Sequence, residues 1–192
     1  MMVALAGLGA GALHVVSGPD HLAALGPVAA SAPERAVRLG ALWGVGHGVG
    51  VLAVAGVGRL GLEAFELSTL SGWAELAVGF VLVLLGLRAM KAHAHEPPTR
   101  PAGSALGVGL LHGAAGAHHL FAVLPGLLLE PTEAIVYLGG YLVAAVLAMA
   151  AAGAIVALGL RNRDSAARVR VHRLLGAGAV LTGVCWIGLS LG

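Results

Sequence analysis

The chain has 192 residues, of which 58% are hydrophobic and 10% charged, with a formal net charge of +2, a pI near 9.2 and a mean hydropathy of +0.93. A soluble domain carries about 25% charged residues, so too few charged side chains are present to build a water-facing shell, and lipid must be the solvent for most of the surface. The basic residues sit in a few short stretches, which reads as a membrane topology signal rather than as nucleic-acid recognition.

A spanning helix needs about 20 mostly apolar residues, and six segments reach that length, at roughly 3–31, 37–58, 70–90, 104–129, 133–160 and 171–191. The first has no basic residue ahead of its apolar run, unlike a secretory leader, and is expected to be retained. It carries HVVSGPDHLAAL, in which Ser17-Gly18-Pro19 breaks the helix between His14 and the Asp20-His21 pair. The second holds GVGHGVG around His47, where small neighbours allow close helix approach; packing and ligation are equally open for this histidine. After the third comes KAHAHEPPTRPAG, a polar, proline-rich linker in which His93, His95 and Glu96 form a cluster able to receive or deliver a metal, although a solvated loop is the plainer reading.

The fourth segment is broken at Gly-Ala positions, and the fifth and sixth flank a run of arginines from Arg161 to Arg173, with His172 read as a headgroup-level surface residue. Cys185 is the single cysteine, so no internal disulfide or CxxC redox pair can form; it reads as a buried small residue. Residues 1–91 and 104–192 thus form two three-helix units joined by the linker at 92–103. Ten of the 11 basic residues fall on one set of alternate loops, which places both termini outside.

The two halves repeat. GALHVVSGPDHLAALGP at 11–27 aligns without gaps on GLLHGAAGAHHLFAVLP at 109–125, matching His14 to His112, Gly18 to Gly116, His21 to His119 and Pro27 to Pro125, with Asp20 opposite His118. A weaker echo sets WGVGH at 43–47 against YLGGY at 137–141, pairing His47 with Tyr141. Three spans per copy is an odd number, so the second copy enters the membrane inverted, the plan of many secondary transporters. The expected fold is therefore an all-α polytopic membrane protein, six helices as a 3+3 inverted repeat with helices 1 and 4 broken.

Ionisable groups inside a membrane segment are costly and mark functional cavities. In an unbroken helix, residues seven apart lie about 10 Å apart along the axis; a break at Gly18-Pro19 lets His14, Asp20 and His21 converge. One carboxylate among several imidazoles suits a borderline divalent transition metal better than Mg or Ca. His112, His118 and His119 supply a second set without a carboxylate. Packing histidines and an Asp20 that merely caps the following half-helix are the bland alternatives. No nucleophile and base with a third orienting group is found, and no glycine motif sits between a strand and a helix, so the chain is not read as an enzyme.

At these residues the chain resembles the nickel/cobalt transporter superfamily, in particular its short six-helix urease-accessory (UreH-like) and high-affinity nickel permease-like members. His14 to Asp20-His21 gives HX5DH where the family has HX4DH, Trp43-Gly-Val-Gly46-His47 is similar to a second signature, and GLLHGAAGAHHL is similar to the second-half motif. The extra residue in the first motif and the missing LGxDTATE-type motif are departures. The resemblance implies uptake of Ni2+ or Co2+ across a bacterial inner membrane through a midplane site of His14, Asp20, His21, His112, His118 and His119, with His47 on the path. It implies no prosthetic group, the metal being cargo, and a cytoplasmic metallochaperone as partner. Efflux, transport of Zn2+, Fe2+ or Mn2+, and a non-transporting accessory role in metalloenzyme maturation are the alternatives.

Overall fold

The computed structural model describes residues 1–59, 64–91, 101–115 and 117–191, with side chains described for all of these except 57–59, 64–71, 101–102, 117–121 and 127. Among the described residues every regular element is helical: α1 (Met2–Ser17), α2 (Pro19–Ser31), a 3-10 turn (Pro33–Arg35), α3 (Ala36–Arg59), α4 (Ala64–Lys91), α5 (Pro101–Ala114), α6 (Ala117–Leu128), α7 (Pro131–Arg161) and α8 (Ser165–Leu191). Within α3, α4, α7 and α8 lie stretches long and apolar enough to cross a bilayer, and α1 with α2 forms a fifth candidate bent by 72°. These match five of the six expected segments. The expected span at 104–129 is divided between α5 and α6 and is not among the candidates. The linker at 92–100, with His93, His95 and Glu96, lies outside the described residues, and α5 already begins at Pro101, inside the stretch expected to be linker.

Close glycine contacts show how the helices run. On α1, a Cβ at Gly7 would overlap the backbone of Tyr137 and one at Gly11 that of Tyr141, so α1 and α7 are parallel. On α5, Gly109 meets the backbone of Trp43 and Gly113 that of His47, so α5 and α3 are also parallel. Gly40 lies against Met149 and Gly153 against Ala36, making α3 and α7 antiparallel; Gly86 against Gly176 and Gly79 against Gly183 do the same for α4 and α8. Helices that lack an oily driving force between them in lipid associate through such small-residue seams, where backbones approach closely enough for dispersion to act.

The short helix α2 is the most enclosed: every residue from Ala24 to Ala30 is buried. It packs against α3, α7 and α8, and with Leu39, Trp43, Leu82 and Met149 it forms the core. The outward faces are apolar instead of polar. Ile135, Val143, Leu147, Ile155 and Leu158 form an exposed stripe along α7, and Leu174, Leu181, Val184 and Leu189 one along α8, the pattern of a surface solvated by lipid. Cys185 is exposed on α8 rather than buried as expected; in a membrane protein a small weakly polar residue is as much at home on the lipid face as inside. His172 is half-buried rather than at the surface.

Candidate functional site

The break that the sequence suggested is present and has a local cause. Gly18 takes an extended conformation (φ −90°, ψ 99°) and Pro19 begins α2 at a position where its missing N–H is not needed. Gly18 is also required for space, because a Cβ there would run into the His21 imidazole and lie 2.8 Å from Asp20 Oδ1. The 72° bend takes α2 off the axis of α1 and lets side chains on either side of the break approach. The rings of His14 and His21, which a continuous helix would hold about 10 Å apart along its axis, stand 4.8 Å apart edge to face.

Asp20 is 3% exposed and lies between two imidazoles. His21 Nδ1–H donates to Oδ1 at 3.0 Å, and His112 Nε2–H, from the last turn of α5, donates to Oδ2 at 2.7 Å. A carboxylate only accepts, so these bonds set the tautomers: neutral His21 carries its lone pair on Nε2 and neutral His112 on Nδ1. A carboxylate at the centre of a spanning helix costs about 3 kcal/mol on insertion scales, and hydrogen bonds to a charged group contribute about 1.5–3 kcal/mol each. Two of them are enough to offset the placement.

His47 and Trp43, one turn apart on α3, close the site. Trp43 stacks on His47 with centroids 5.2 Å apart and 11° between planes, and it lies 5.3 Å from His21 and 5.2 Å from His112. His47 stands 4.9 Å from His21 and stacks on His14 at 5.2 Å. Tyr141 from α7 lies 5.8 Å from His14. His21, His47, His112, Trp43 and Tyr141 are each 1% exposed or less. Two overlapping groups of three emerge, His14 with His21 and His47, and Asp20 with His21 and His112; within each, the donor atoms lie within 4.8 Å of one another. A tetrahedral ion bound at about 2.1 Å holds its ligands nearer 3.4 Å apart, a contraction within reach of side-chain rotation.

Of the sequence candidates, the structure thus brings together His14, Asp20, His21, His47 and His112. His118 and His119 begin α6, but their side chains lie outside the described residues. Trp43 and Tyr141 were missed as parts of the site, although the repeat echo that paired WGVGH with YLGGY contained the signal.

No family model matches the chain, and no solved structure does. Two Arabidopsis thaliana proteins are similar: chloroplast protein FOR GROWTH AND FERTILITY 1, 36% identical over 89 residues, and chloroplast protein FOR GROWTH AND FERTILITY 2, 35% identical over 92 residues. The matches cover 46% and 47% of this chain but 24% and 25% of those proteins, so the chain spans about a quarter of the length of these relatives.

These findings correct the reading drawn from the nickel/cobalt transporter resemblance. The similar proteins are named for chloroplasts, growth and fertility, not for nickel or cobalt, and the expected superfamily, its uptake of Ni2+ or Co2+ and its bacterial inner membrane fall with them. The transport and accessory alternatives rested on the same motif and are given up too. The motif residues His14, Asp20, His21, His47 and His112 do meet in space. Imidazoles and a carboxylate specify what a site can bind, however, and carry no information about whether the bound species crosses the membrane.

Proposed function

We propose that this chain is a membrane protein that keeps a transition-metal ion resident in the buried centre, with His14, His21 and His47 as its ligands and Asp20 as the group that orients His21. The carrying observation is the convergence of these three imidazoles from α1, α2 and α3, with donor atoms within 4.8 Å of one another, beside a carboxylate bonded to His21 Nδ1. A ligating histidine typically donates its other ring N–H to a carboxylate, which fixes the tautomer and raises basicity. An all-imidazole set suits Zn, Cu or Fe. When bound, such an ion supplies Lewis acidity or redox capacity; the chain's own contribution is a water-poor pocket walled by Trp43 and Tyr141.

The architecture we propose is the 3+3 inverted repeat. It is supported by the opposite directions of α1 and α5 and by the exchange-symmetric seams, in which α1 lies on α7 as α5 lies on α3. The likeness to parts of longer chloroplast proteins supports a membrane module that also occurs within larger chains.

Metal analysis of the purified protein, followed by titration with Zn2+ and with Co2+ as a spectroscopic probe, tests the reading. One ion per chain is expected, lost in His21→Ala and in His47→Ala. A wild type that binds neither ion, or variants that bind as well as it does, would overturn the proposal. A second reading is favoured by the Asp20 bridge itself, since a carboxylate between two imidazoles is also the grammar of a proton relay. Proton flux in liposomes that needs Asp20 and no metal would select it.

A further inference from the structure

Far from the buried centre, most of the basic residues gather at one end of the bundle. The Gly153–Ala36 and Gly86–Gly176 contacts bring the start of α3, the ends of α4 and α7 and the start of α8 to one end of the bundle. That end carries Arg35, Arg38, Arg88 and Lys91 and, around the α7–α8 connection, Arg161, Arg163, Arg168, Arg170 and Arg173. Glu130 and Glu133 lie at the opposite end, at the start of α7.

Within the basic end there is an open cleft of about 650 Å³ at the α7–α8 connection, lined by Leu158, Asn162, Arg163, Asp164, Ala167 and Arg170. Among the described residues no ion pair joins Asp164 to Arg163 or Arg170, and the two arginines of the lining outnumber the one carboxylate. Asp164 Oδ1 accepts the Ala167 N–H at 2.6 Å and so caps α8. Arg168 turns away, donating to the Arg163 and Arg161 carbonyls at 3.0 and 3.2 Å, which staples the connection into a fixed shape. Arg163 spends its Nε–H on the Gly159 carbonyl at 3.2 Å, and its terminal nitrogens remain as donors. Arg170 forms no ion pair among the described residues. On the other side the cleft runs onto Leu158, 66% exposed and continuous with Ile155, 70% exposed, on the lipid-facing stripe of α7.

We propose that this cleft binds the phosphate of an anionic phospholipid headgroup, held by Arg163 and Arg170 with Asn162 as a neutral donor, while the acyl chain follows Leu158 and Ile155. Guanidinium groups match phosphate oxygens in a forked geometry that an ammonium cannot reproduce, and the basic end of a bundle sits where anionic headgroups are concentrated. A general topology signal accounts for cations at this end. It does not require two arginines in the lining of a cleft that also includes the exposed Leu158.

The test uses delipidated full-length protein in neutral detergent, with native mass spectrometry and thermal unfolding in the presence of phosphatidylglycerol, phosphatidylcholine or inorganic phosphate. Phosphatidylglycerol is expected to be retained over phosphatidylcholine. The double variant Arg163→Gln/Arg170→Gln is expected to lower that retention about tenfold or more, while Arg88→Gln/Lys91→Gln, with the same loss of charge at the same end, keeps it. Equal retention of the two lipids, or equal loss in the two double variants, overturns the site in favour of a diffuse surface attraction. If inorganic phosphate stabilises the wild type as much as the lipid does and the arginine variant not at all, the phosphate site stands and its assignment to a lipid is overturned. Cooperative thermal unfolding of both double variants without lipid serves as the folding control, and it does not depend on what the central histidines bind.

Discussion

Gly113 sits on α5 directly after His112 and against the backbone of His47 on α3. A Cβ there would overlap the His47 carbonyl oxygen and stand 2.8 Å from its carbon and 3.0 Å from its Cα. Carbon atoms rest at about 3.5–4.0 Å, so Gly113→Ala forces α5 from α3 by roughly 1 Å. The obstacle is backbone on both sides, with no flexible side chain to yield. Overpacking of this kind costs about 1–3 kcal/mol. The same movement lengthens the 2.7 Å bond between His112 Nε2 and Asp20 Oδ2 beyond bonding distance, which removes about 1.5–3 kcal/mol more. Gly107→Ala on the same helix is the control, because its Cβ meets nothing within 4 Å and the change should be neutral or slightly favourable. Equilibrium unfolding of the purified protein should separate the two variants by about 2.5 kcal/mol or more. If they unfold together, the α3–α5 seam is not the close backbone contact that positions His112, and the reasoning fails.

Asp20→Asn keeps one acceptor oxygen but sets an NH2 donor against one of the two imidazole N–H groups. We expect the imidazole that faces the amide to change tautomer and accept from it, visible in imidazole 15N spectra, so that two charge-assisted bonds become two neutral ones at a cost of about 2 kcal/mol; unchanged spectra would mean that the bridge does not form. Asp164→Ala removes the cap of α8 at the far basic end and should cost about 1 kcal/mol in thermal unfolding, with metal binding at the centre unaffected.

The helices and most of the centre were legible in the sequence for one reason: in a lipid-solvated chain every ionisable residue stands out against its neighbours. His14, Asp20 and His21 are conspicuous inside an apolar run, and Gly18-Pro19 marks the only way they can meet. The partnership of Asp20 with His112 was not legible, because it depends on how α5 is set against α2, and nothing local to either segment encodes that. Trp43 and Tyr141 were hidden by the opposite effect, since aromatic residues in an apolar helix look like ordinary packing. The exposure of Cys185 was misread because apolar character does not distinguish inside from outside when the outside is lipid. The break in the segment at 104–129 was legible from its Gly-Ala positions, and α5 and α6 lie on either side of residue 116. The family assignment failed differently: a His-and-Asp motif of a dozen residues records a ligand chemistry, which unrelated cargoes and resident ions can share.

The two parallel seams give a way to take the two triads of the centre apart. Gly113 sets the distance between α5 and α3 and so acts on His112 and on His47, whereas Gly11 sets the distance between α1 and α7, where a Cβ would overlap the Tyr141 carbonyl and stand 2.9 Å from its carbon, and so acts on His14 alone among the site histidines. Gly11→Ala therefore moves α1, which carries His14, away from Tyr141 by roughly 1 Å on the same van der Waals reasoning. The Asp20 bridge, which joins α2 to α5, is left in place. The donor atoms, within 4.8 Å of one another, must already close to about 3.4 Å around an ion, and a further shift of roughly 1 Å at His14 adds to that rearrangement, so a His14, His21 and His47 ligand set should lose affinity in Gly11→Ala while the imidazole 15N signature of the bridge persists. Gly113→Ala should lose the bridge signature. If instead Gly11→Ala binds Zn2+ as the wild type does and only Gly113→Ala is impaired, His14 is not a ligand and the proposed set of His14, His21 and His47 is overturned.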